Sequence, residues 1–251
     1  MVGYLNMSDS ATRQLTLWSA DDAVDPWTIR ESPRARRLSV RVSRTGRVEV
    51  VVPPRTSQRT VARFLDQHRQ WIEERRAEMA RNAAPAEPFP PPFIELAGCN
   101  ERWRVHVAGG NGRARAQSLA PGLIELSGNP GGARLALRRW LIAKAYEVLE
   151  PLLAQASREM GTDYKRLSIR RQRTRWGSCS ARGTISLNCT ALFQRPQVAR
   201  YLLIHELAHT RHMNHSAKFW NCVARYCEDY KRLDRELREG WRRVPQWVFE
   251  R

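Results

Sequence analysis

The chain has 251 residues, 42% hydrophobic and 27% charged with a net charge of +18, which suits one large or two modest soluble domains with a real core. No apolar run approaches the ~18 residues a membrane span needs, and the first residues lack the basic-then-apolar order of a secretory leader. Five cysteines at irregular spacing, Cys99, Cys179, Cys189, Cys222 and Cys227, argue against a disulfide framework and for reduced thiols in the cytoplasm.

Residues 1–26 are polar, with an acidic patch at Asp21, Asp22 and Asp25, and read as a mostly disordered arm. Residues 27–130 then read as an N-terminal β-rich region with one helix. Leu38, Val40 and Val42 alternate with polar residues, Thr45-Gly46 turns the chain, and Val48, Val50 and Val52 alternate again, which predicts a β-hairpin. Arg34, Arg36, Arg37, Arg41, Arg44 and Arg47 decorate it as a solvated face. Ser57 caps a helix whose apolar stripe is Val61, Phe64, Leu65, His68, Trp71 and Ile72. The Pro-rich stretch 83–92 is a linker or strap. Residues 93–127 alternate as strands around GGNG (109–112), which is a turn, being too short for a phosphate loop. Asn129-Pro130-Gly131-Gly132 marks the domain boundary.

Residues 131–251 read as the catalytic domain. A long helix runs from about Ala133 to Met160, kinked or split by Pro151 and ended by Gly161. Leu167 and Ile169, then Ile185 and Leu187, predict a second hairpin, with RTRWGSCS (173–180) on its near strand and connection. Pro196 opens the next helix, 196–212, and a further helix spans about Ser216 to Gly240. The tail carries Trp241, Trp247 and Phe249 and should fold back onto the body.

Four of the six histidines fall in HELAHTRHMNH, residues 205–215. His205 and His209 stack one turn apart on a helix face, with Glu206 beside them and His215 six residues on. Three neutral imidazoles leave zinc one open position, the arrangement of a catalytic rather than a structural site, and Glu206 is the candidate general base. Glu228, 19 residues after His209, competes as third ligand, but His215 is favoured, with Asn214 suiting the turn that returns it. His212 is a helix-end residue or supports a ligand. Cys179 is either a small side chain in a tight turn, the favoured reading, or a fourth ligand that closes the site. Arg175 and Trp176 would border the cleft if the hairpin packs beside the active helix. Tyr226, Tyr230 and Arg175 are candidates for transition-state contact by position only.

TRWGSCS (174–180), GTISLN (183–188), the helix start at Pro196, YLLIHELAHTRHMNHSAKFW (201–220) and DYKRLDRELREG (229–240), in this order, resemble the YgjP-like metallopeptidase family, related to WLM and SprT-like zinc peptidases. The hairpin ending in VVPP and the helix with Trp71-Ile72 resemble the family's front part. The chain departs from the pattern at Cys189-Thr190-Ala191-Leu192 and at Glu228, neither in the favoured ligand set. The resemblance implies an α+β, zincin-like catalytic domain with Zn2+ on His205, His209 and His215, Glu206 as base, and a protein or peptide substrate. It also implies two alternatives. WLM and SprT-like relatives act on proteins crosslinked to DNA, and some YgjP-like members are described as nucleoside triphosphate (UTP) pyrophosphatases, for which Arg170, Arg171, Arg173 and Arg175 could receive phosphate oxygens. Charge bears on the first of these. Residues 1–130 hold 19 basic and 14 acidic side chains, but residues 131–251 hold 24 and 11, so the catalytic half is the one that could face DNA or another polyanion. Only four of the 43 basic residues are Lys, an arginine bias that genome composition also produces.

Overall fold

A computed structural model describes residues 27–42, 46, 48–81 and 88–250. The predicted N-terminal arm, residues 1–26, lies outside them. The chain forms two compact units, Met1–Ala86 and Glu87–Arg251.

In the first unit, β3 (Val48–Val52) is central, with β1 (Trp27–Glu31) parallel on one side and β2 (Ser39–Val42) antiparallel on the other. The predicted hairpin is β2–β3. Helix α1 (Gln58–Arg81) starts where Ser57 Oγ accepts the Thr60 N–H at 3.2 Å. Val61, Leu65 and Ile72 of α1 join Ile29, Val48, Val50 and Val52 in one apolar cluster. Trp71, placed on that stripe by its spacing, is instead 46% exposed.

The second unit begins with a four-stranded sheet, order β4-β5-β7-β6, formed by β4 (Phe93–Leu96), β5 (Glu101–Gly109), β6 (Arg115–Ala120) and β7 (Leu123–Ser127). Asn129-Pro130-Gly131-Gly132 divides nothing: Asn129 Oδ1 accepts the Gly131 N–H at 2.8 Å in a turn that leads into α2 (Ala133–Met160). The strands before that turn and the helices after it share one hydrophobic core, from Ile94 to Val248, so the compact units part at 86/87 rather than at 130/131. Helix α2 runs unbroken through Pro151, which is exposed; the carbonyl that lacks an N–H partner belongs to Glu147, also on the wet side. Gly161 ends the helix in the left-handed conformation at φ 59°.

The next sheet corrects the second predicted hairpin. Strands β8 (Arg166–Arg170) and β10 (Thr184–Asn188) are parallel neighbours, and the hairpin partner of β10 is the short β9 (Gly177–Cys179), an edge strand. Helix α3 (Pro196–Ala208) follows, starting on Pro196 as predicted but ending four residues earlier than expected. The single helix expected over 216–240 is two: α4 (Ala217–Tyr226) and α5 (Tyr230–Glu239). Cys227 leaves helical geometry at φ −153°, ψ 89°, so Leu233 and Leu237 reach the core from a separate element. The tail does fold back. Arg138 donates to the Trp247 carbonyl at 2.9 Å, and Trp247 and Val248 are buried. No helix among the described residues is long and apolar enough to cross a membrane.

Candidate active site

The two ends of one helical turn and one returning loop build the site. His205 lies in the last turn of α3 and His209 is its C-terminal cap. The chain turns through 210–216 and brings back His215 just before α4. One ligand atom from each of the three histidines lies within 4.8 Å of the others, and His205 Nε2 faces His215 Nε2 at 3.1 Å. Among the described residues no other set of His, Cys, Asp or Glu converges in this way. Glu228 is exposed in the turn between α4 and α5, and Cys179 is half-buried with its thiol directed to its neighbour's carbonyl; neither belongs to the convergent set.

Two of the three remote ring nitrogens are occupied. His209 Nδ1 lies 3.1 Å from the His212 carbonyl, so His212 serves the site through its backbone. His205 Nδ1 lies 3.2 Å from the Tyr201 hydroxyl, which itself donates to Asp234 at 2.9 Å. His215 has an aromatic support instead: Trp220 stacks on it at 5.5 Å, and Tyr230 stacks behind Trp220 at 5.3 Å. Burial and the neighbouring histidines push His205 down to about 4, and burial also lowers His209. Both are therefore neutral at neutral pH, the form that binds a metal.

Glu206 is 4% exposed, and its Oε2 has no hydrogen-bond partner. Burial pushes its carboxyl up to about 8, against the pull of the Arg175 guanidinium. A buried carboxyl without a partner is costly as structure, which marks it as a candidate functional group. Its side chain fits only because residue 177 of β9 is glycine. A Cβ built on Gly177 would sit 2.7 Å from Glu206 Cδ and closer still to Oε1. Asn188 pins the loop before β9, its Nδ2 donating to the carbonyls of Gln172 at 2.7 Å and Arg175 at 2.9 Å.

These positions match a described family over most of the chain: the model of the family described as YgjP-like, metallopeptidase domain, covers residues 36–240. The chain belongs to the YgjP-like metallopeptidases. Two solved structures are also similar. The zymogen of Pyrococcus abyssi abylysin is 30% identical, spanning 37% of this chain and 94% of that one, with a TM-score of 0.34. The zymogen of Methanocaldococcus jannaschii jannalysin is 17% identical, spanning 37% and 95%, with a TM-score of 0.33. Comparison with the curated proteins gives no match.

In this YgjP-like chain the other sequence candidates separate. Arg175 is exposed and near enough to Glu206 to act on its charge. Trp176, in the bend just before β9, is 8% exposed and stacks on Trp241 at 4.1 Å, so it packs into the core rather than bordering a cleft. The Tyr226 hydroxyl donates to the Met160 carbonyl at 3.3 Å, at the end of α2, and Tyr230 acts through Trp220. Arg171 and Arg173, candidates for phosphate, donate to the carbonyls of Val248 and Phe249. The sequence reading gives Tyr201, Asp234, Gly177 and Asn188 no role at the site. Tyr201 alone carried a local signal, four residues before His205 on the same helix face.

Proposed function

We propose that the protein is a zinc-dependent peptidase in which His205, His209 and His215 hold the ion and Glu206 is the general base. The observation that carries this is the unpartnered, buried Glu206 carboxyl, adjacent in sequence to His205, together with three convergent imidazoles of which two have their remote nitrogens committed elsewhere. Three neutral nitrogen donors suit Zn2+ with one position open. When bound, the ion supplies an electrophile for the peptide carbonyl and lowers the pKa of water from 15.7 to about 7. Glu206 takes the proton of the attacking water and passes it to the leaving nitrogen. Its apolar surroundings favour the neutral acid that delivery requires. The edge strand β9 offers main-chain groups at 177–179 with which an extended substrate can pair. Five unpaired thiols fit a reducing compartment, the cytoplasm.

Elemental analysis and turnover test this directly. The protein should bind one zinc per chain and cleave peptide rather than UTP. Glu206→Gln should keep the zinc and lose at least roughly 10²-fold in kcat, while His209→Ala should lose the zinc. Turnover left intact in Glu206→Gln would refute the assigned base, and UTP cleavage without peptide cleavage would refute the substrate class.

A further inference from the structure

We infer that Tyr201 and Asp234 are positioning residues for the metal centre, forming a two-step hydrogen-bond chain that fixes the tautomer and ring orientation of His205. This rests on the zinc reading above and adds two residues to it.

The chemistry of the three groups allows one direction of donation. A carboxylate can only accept, so the single hydrogen of the Tyr201 hydroxyl goes to Asp234 at 2.9 Å. The oxygen keeps a lone pair toward His205 Nδ1 at 3.2 Å, and that nitrogen must then carry the hydrogen. His205 is thereby held as the Nδ1–H tautomer. Its Nε2, the atom that faces His215 Nε2 at 3.1 Å, presents a lone pair.

The surroundings hold the chain rigid. The Tyr201 side chain is fully buried, one helical turn before His205. Asp234 comes from a different element, α5, where it is half-buried and paired with Arg238 at 2.5 Å. A hydroxyl at 201 is not needed to fill space, since Phe has nearly the same shape. What Phe removes is the acceptor for the His205 N–H and the donor for Asp234.

The test uses the full-length protein with Tyr201→Phe, Asp234→Ala and the double variant. Zinc affinity is measured by competition with a chromophoric chelator. The His205 tautomer is read from imidazole 15N shifts of the zinc-free protein. Each single variant should bind zinc roughly 10- to 100-fold more weakly. The double variant should be no worse than Tyr201→Phe, because Asp234 acts through Tyr201. The zinc-free wild type should show the Nδ1–H form at His205, and Tyr201→Phe should lose that preference. Affinities within about twofold of wild type, losses that multiply in the double variant, or an Nε2–H tautomer in the wild type would each overturn the inference. If Tyr201→Phe does not fold, Asp234→Ala and the wild-type tautomer still decide. A wild type that binds no zinc would remove the zinc reading itself, whereas zinc binding unaffected by the variants would remove only this inference.

Discussion

A single missing side chain makes room for the proposed base. Gly177 leaves the space that Glu206 occupies, and any Cβ there would meet Glu206 Cγ at 2.8 Å as well as its carboxyl. The backbone of β9 cannot retreat freely, because residue 177 pairs with Leu187 in the ladder and Asn188 holds the preceding loop. The strain of Gly177→Ala therefore falls on Glu206. We expect this variant to keep its zinc, since no ligand is touched, and to lose kcat. A displacement of about 1 Å at a reacting group costs on the order of 10²-fold. Equal zinc content with wild-type kcat would show that Glu206 tolerates the shift and is not held for catalysis. The contrast with the ligands shows what the sequence can carry. His205, Glu206, His209 and His215 lie within eleven residues, so helical spacing sets the first three and one short turn returns the fourth. The Gly177–Glu206 contact joins residues 29 positions apart and the Tyr201–Asp234 hydrogen bond residues 33 apart, and no local pattern announces either.

At the scale of elements, α5 does the work of a brace, and the sequence hid it inside one long helix. Its apolar spacing continues from α4 without glycine or proline at the break, so periodicity could not reveal the turn at 227–229. Pro151 misled in the other direction, since an exposed proline can sit in a continuous helix. As a separate element, α5 delivers Asp234 to Tyr201 and Glu236 to the start of α3. There Glu236 binds Arg195 in a bidentate pair and Arg243 at 2.8 Å, with 17% of its side chain exposed. Hydrogen bonds from Arg195 first, and then Arg243, hold its carboxyl down to about 2 from the ordinary 4.5. A carboxylate whose folded pKa is depressed contributes stability that is complete above its unfolded pKa and vanishes as pH falls through the folded one. The melting temperature of wild type should therefore exceed that of Glu236→Gln at neutral pH. The gap should close between about pH 4.5 and about pH 2. A gap absent at neutral pH, or unchanged at the acid end of that window, would contradict this role for the clamp.

At the scale of the molecule, two features that looked like functional signals have structural explanations. Many arginines of residues 131–251 hold the structure together. Arg138, Arg171, Arg173 and Arg211 donate to main-chain carbonyls, and Arg195, Arg200, Arg232, Arg238 and Arg243 pair with carboxylates. The carboxylate-paired arginines have their charge offset locally, so part of the basic count has a structural role. The Asn-Pro-Gly-Gly stretch looked like a boundary because turn residues mark loops, and loops occur inside domains as well as between them. The hydrophobic clusters locate the division better. One draws its buried residues from Ile29 to Ile72 and the other from Ile94 to Val248, with no member in common. All three histidines, Glu206, Tyr201, Asp234 and Gly177 fall in the second unit, Glu87–Arg251. We therefore predict that a fragment comprising residues 88–251 folds on its own and binds one zinc with the affinity of the full chain. It should unfold in one cooperative transition, as a single core of this size does. The family match begins at residue 36, inside the first unit, so a fragment of the catalytic half alone separates what folds from what is merely inherited with it. Failure of residues 88–251 to fold, alongside a stable fragment beginning near residue 36, would show that the second core depends on the first unit. Equal zinc affinity with a slower peptide turnover would instead assign the first unit to the substrate.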